Sequence, residues 1–139
     1  MKKSKLIIDY EFDFGLWGIT TAARGYKLAW EINQHLGIRL VKQPDLVVGF
    51  KNNEEKYFSF YAYETALNRL KLFKNRPAEV ESGKYFLIPE FPHYDFIILA
   101  AMEEQHANQL GHQIRSIPSV ELVASIPLNG LKSKSNFIF

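Results

Sequence analysis

The residues best suited to chemistry sit together in "KYFLIPEFPHYDFIILAAM" (residues 84–102), where Glu90, His93 and Asp95 set two carboxylates beside an imidazole. Held on a stiff loop that opens into a cleft, such a set could exchange protons with a bound molecule. The same residues also suit a corner between two strands. Pro89 and Pro92 fix their own backbone angles, donate no hydrogen bond, and bias the residue before them toward extended geometry. On that basis Glu90 and His93 are expected at a turn facing water. Asp95 is expected to accept a hydrogen bond from a nearby backbone N–H. The turn is the stronger reading, because catalytic groups are brought together by the fold and nothing in this spacing requires a reaction.

Other constellations carry less. Glu103 and His106 have the i, i+3 spacing of a carboxylate-bridged metal site, but that architecture needs a second copy of the motif. His106 and His112 point about 120° apart on a helix and cannot share an ion there. The chain has no cysteine, which removes disulfides and thiolate chemistry. It also has no glycine-rich phosphate loop, nucleophile elbow or H-E-x-x-H. No metal and no cofactor is expected. "KYFSFYAY" (residues 56–63) resembles the aromatic RNP1 strand of the RNA recognition motif, with Phe58 and Phe60 on one face and Tyr63 as the last ring. A partner RNP2 strand is missing and the element order differs, so RNA binding stands only as an alternative and aromatic core is the expectation.

The bulk figures bound what these residues can belong to. A chain of 139 residues fits a single domain over 1–139. Hydrophobic residues at 47% and charged residues at 23% describe an ordinary globular protein. A net charge of +2 is too small to indicate nucleic acid or an anionic membrane. The basic start "MKKSK" leads into an apolar run broken by Asp9, Glu11 and Asp13, which is not a signal segment. No stretch approaches the roughly 18–20 apolar residues of a membrane span, so a cytoplasmic location is expected. The aromatic share, 14%, exceeds what a small core needs and points to surface rings that join subunits or bind a ligand.

The elements that must position these groups follow from periodicity. Residues 6–19 alternate as a half-buried strand, and residues 24–36 carry the helical stripe Leu28, Ala29, Ile32 and Leu36 with Gly37 as a stop. Tyr26 and Trp30 fall off that stripe and are expected against a neighbouring element or a second subunit. Strands are expected at 38–42, 46–50, 56–64, 68–75 (as an edge, from its lysines), 85–88, 96–102 and 120–126. A second helix is expected over 103–117, with Leu110, Ile114 and Ile117 inward. The order gives an α+β fold, a mostly antiparallel sheet with two main helices on one face. The tail 127–139 ends in apolar residues and is expected to dock on this subunit or another.

"IPEFPHYDF" resembles the signature that names the IPExxxVDY family, small uncharacterised bacterial proteins found mainly in Bacteroidota. Ile88, Pro89, Glu90 and Asp95 match at the family's spacing; Tyr94 stands where the pattern has Val, and Phe96 where it has Tyr. "DYEFDFGLWGI" and "YKLAWEIN" are similar too, so the likeness spans most of the chain. The resemblance implies a bacterial, cytoplasmic setting and no particular activity. The leading expectation is a non-enzymatic binding or interaction domain, with a homodimer or another protein as partner. The alternative is a small enzyme or ligand-binding protein built on Glu90, His93 and Asp95.

Overall fold

Apolar residues on both faces of the central strands need cover on both sides, and the architecture follows from that requirement. The computed structural model describes residues 14–50, 53–77 and 85–137. In chain order the elements are β1 (Gly15–Thr21), α1 (Gly25–Leu36), β2 (Val41–Lys42), β3 (Leu46–Phe50), β4 (Glu54–Phe58), β5 (Phe60–Glu64), β6 (Arg69–Lys74), β7 (Phe96–Ala101), α2 (Glu104–Arg115), β8 (Val120–Ile126) and a 3₁₀ helix (Lys132–Phe137). Six strands pair antiparallel in the order β2-β5-β6-β7-β1-β8, and β3 and β4 form a separate hairpin. The fold is therefore α+β on a main antiparallel sheet.

Period-2 alternation sorts the side chains into two cores. Ile19, Leu70, Leu72, Phe96, Ile98 and Ala100 meet both helices through Leu28, Ile32, Leu110 and Ile114. On the opposite face Leu16, Phe60, Phe73, Ile97 and Leu99 are covered by the β3–β4 hairpin, the 87–94 segment and the tail. "FIILAA" in β7 reads as one unbroken apolar run because nearly all of that strand is buried. Each large side chain enclosed this way contributes about 1.5–3 kcal/mol. Gly37 ends α1 at φ 68°, a left-handed angle that glycine adopts without penalty, and its N–H donates to the Asn33 carbonyl at 2.8 Å.

Several expectations need correction. β6 is an interior strand between β5 and β7, not an edge. Its Lys71 is half-buried, and that burial, followed by nearby Arg69, pulls the amine below the usual lysine range. The outer strands are β2, with two residues, and β8, where an Arg115 guanidinium N–H donates to the Val123 carbonyl at 3.0 Å. The expected strand at 85–88 is a bend without ladder pairing. The expected strand over 56–64 breaks at Ser59, so that β4 joins the hairpin and β5 the main sheet. Tyr26 and Trp30 are 69% and 61% exposed, so neither ring is enclosed by a neighbouring element. Of the expected first strand, 6–13 lie outside the described residues.

One contact between β1 and the proline-rich segment is unusually close. A β-carbon placed on Gly18 would lie 2.2 Å from the Tyr94 ring, so the ring rests directly on the strand backbone. Gly18→Ala is expected to cost about 2–3 kcal/mol in urea unfolding through overpacking. Tyr94→Val should relieve much of that cost, so the double variant falls well short of the sum of the singles; additive losses would show that the ring does not depend on the glycine.

Candidate functional site

The signature segment is held by a residue that sequence reasoning passed over. Asn75 follows the last residue of β6 and is completely buried. Its side-chain amide N–H groups donate to the carbonyls of Phe91 (3.1 Å) and Tyr94 (2.9 Å), and its amide oxygen accepts from the Ile88 N–H (2.9 Å). The Asn75 N–H donates to the Asp95 carbonyl, and its own carbonyl accepts from the Leu87 N–H. Buried backbone groups need such partners, and one amide supplies three of them here. Ile88 is thereby locked into the core, with no exposed surface.

The three candidate residues diverge from this anchor. The Glu90 carboxylate accepts from the N–H groups of Lys132 (2.8 Å) and Ser133 (3.2 Å) and from the Ser133 hydroxyl (2.8 Å), which caps the 3₁₀ helix. The tail is thus tied to this subunit, with Leu131 and Phe137 buried. Burial alone would raise the Glu90 carboxyl, but the hydrogen bonds, led by the one from the Ser133 hydroxyl, outweigh it and hold the group below its ordinary value. His93 is exposed, its ring centroid 4.2 Å from that of Tyr94. Asp95 turns the other way: its Oδ2 accepts from the Thr21 N–H at 2.9 Å, and its own N–H donates to the Ile19 carbonyl. Glu90 and Pro89 border one groove with Phe50 and Asn136, and Asp95 borders another cavity altogether. No shared acid/base site forms.

The cavity beside Asp95 is the better candidate. About 520 Å³ in volume, it opens where β1, β6 and β7 meet the start of α1, and Arg24, Lys74, Arg76, Tyr26, Tyr61 and Asp95 line it. Asp95 shapes one wall by fixing Thr21, whose hydroxyl donates to the Ser119 carbonyl at 2.5 Å and accepts from the Ala23 N–H at 3.1 Å. Arg24 takes the N-cap position of α1 without a side-chain capping bond, which leaves first-turn N–H groups at the cavity edge. Among the lining residues are three cationic side chains and one carboxylate; the Arg76 guanidinium also lies over the Phe86 ring, 5.9 Å from its centroid, and the carboxylate accepts from the Thr21 N–H. Sequence reasoning missed Lys74, Arg76 and Tyr61 because they meet only through strand order, and no local spacing signals it.

The remaining candidates are placed elsewhere. Phe58 and Phe60 are buried in the core under the hairpin, so neither ring offers a face to a base. Tyr63 packs against the helix-side core, on the opposite face of the sheet from Phe60. Glu103 and His106 lie 4.0 Å apart at the surface, and among the described residues no group of three metal-capable side chains occurs. Among the described residues no helix is long and apolar enough to cross a membrane. No protein-family model and no curated protein matches the chain.

Asn75→Ala leaves two carbonyls and one N–H without their side-chain partner and is expected to cost about 3 kcal/mol or more in urea unfolding; a loss below about 1 kcal/mol would show that the corner holds itself. Glu90 acts locally. Because its folded pKa is depressed, its contribution is fully present above the ordinary value of 4.5 and is lost as pH falls through the lower folded value. Nuclear Overhauser contacts between Phe137 and Phe73, whose ring centroids lie 5.2 Å apart, should fade on acidification. They should be weak at every pH in Glu90→Ala, and contacts unaffected by either change would refute the clasp.

Proposed function

We propose that this chain is a non-enzymatic binding domain, a cytoplasmic bacterial protein of the IPExxxVDY family, which takes up a small anion in the cavity at the start of α1. The observation that carries this reading is the charge imbalance there: Arg24, Lys74 and Arg76 line an opening whose one carboxylate is engaged by backbone. Guanidinium and ammonium groups bind carboxylate and phosphate through charge-assisted hydrogen bonds. The uncapped first turn of α1 adds the positive end of its dipole. The volume falls within the roughly 300–1,000 Å³ usual for small-molecule sites. The binding reading is favoured over an enzyme on Glu90, His93 and Asp95 because the two acids border different openings and each is tied to a distant segment, Glu90 to Lys132 and Ser133 and Asp95, through Oδ2, to the Thr21 N–H. A homodimer would join most readily across Trp30, which is exposed on α1 and does not line the cavity.

Calorimetric titration with inorganic phosphate at low ionic strength is the test. Binding should weaken about tenfold, the equivalent of one charge-assisted contact, in Lys74→Gln and in Arg76→Gln. Both side chains are exposed, so the melting temperature should stay put. Affinity indifferent to both substitutions, or an absence of binding, would refute the reading.

A further inference from the structure

We infer, building on the anion reading above, that the ligand is a phosphate monoester carried on a planar ring system, the chemistry of a nucleoside monophosphate. Charge gives the first half of the inference. The lining has an excess of two positive charges, and a phosphate monoester brings roughly −1.5 to −2 at neutral pH, whereas a single carboxylate would leave half the excess unanswered. Two of the three cations are arginines, whose flat fork suits phosphate oxygens in pairs.

The aromatic lining gives the second half. Tyr26, Tyr61 and Phe96 border the same opening as the cations. Aromatic faces beside a cationic rim are the means by which proteins hold a flat base next to its phosphate. Gly25 keeps the approach open: a β-carbon there would lie 3.4 Å from Phe96 Cε2 and 3.7 Å from Tyr61 Cε1, in ordinary van der Waals contact. A methyl group at this position therefore fits without strain but takes up space between the helix and both rings. Inorganic phosphate would satisfy the cations and leave the tyrosine-lined part of the cavity to water.

The experiment compares five probes by calorimetry: inorganic phosphate, ribose 5-phosphate, adenosine, adenosine 5′-monophosphate and a dinucleotide bearing a 5′-phosphate. The monophosphate should bind about tenfold or more tighter than ribose 5-phosphate, the increment that stacking supplies, and adenosine should bind far more weakly than either. Gly25→Ala should weaken the monophosphate while the melting temperature holds or rises, since alanine is the better helix former. A dinucleotide bearing a 5′-phosphate, if tighter still, would identify a strand end as the source of the same chemistry. Equal binding of the monophosphate and ribose 5-phosphate would overturn the inference yet leave the anion reading intact. Adenosine binding as well as its monophosphate would overturn it on charge. If no phosphate probe binds, the inference and the anion reading fall together.

Discussion

The side-chain amide of Asn75 is the interaction on which the signature segment depends. Between Leu87 and Asp95 the chain turns sharply at two prolines and forms no ladder, so its inward carbonyls and N–H groups need partners that no neighbouring strand supplies. An amide can donate twice and accept at once, which is what the Phe91, Tyr94 and Ile88 backbone groups require. A carboxylate lacks the donors, and an aliphatic side chain lacks both functions. The corner and the end of β6 are consequently one unit, although 13 positions separate Asn75 from Ile88.

From that fixed corner the two acids reach outward in opposite directions. Glu90 caps the 3₁₀ helix, whose Phe137 packs in the core under the hairpin. Asp95 holds Thr21 and, through it, the loop that leads into α1. Each carboxylate meets backbone N–H groups at the edge of another element, where such groups otherwise lack partners. The question raised by Glu90, His93 and Asp95 resolves accordingly: the acids brace two surfaces, and one of those surfaces is the wall of a cationic cavity.

What the sequence disclosed and what it hid divide along physical lines. α1, α2, β7 and β8 were legible because each buries a stripe or run whose period is written locally. The lysines of β6 suggested an edge, yet Lys71 is half-buried on an interior strand; its long stem can lie along apolar surface with the amine at the border. The run 56–64 looked continuous because a switch from one sheet to another at Ser59 changes no side-chain type. Glu90 and Asp95 stood out in the sequence, but their partners Ser133 and Thr21 lie far along the chain. The cavity was invisible for the same reason, since its lining comes from the ends of several elements that only the strand order brings together.

Tyr94 and Phe96 each set a ring against a glycine. Tyr94 lies on Gly18 on one side of the sheet; Phe96 faces Gly25 on the other. The Tyr94 ring is bulky, and a strand residue without a β-carbon is what makes room for it. Phe96 Cζ lies 3.8 Å from where a Gly25 β-carbon would sit. The identities at 94 and 96 thus gain their meaning from glycines in β1 and α1, and Gly25 and Phe96 line the cavity as a pair that only the fold brings together.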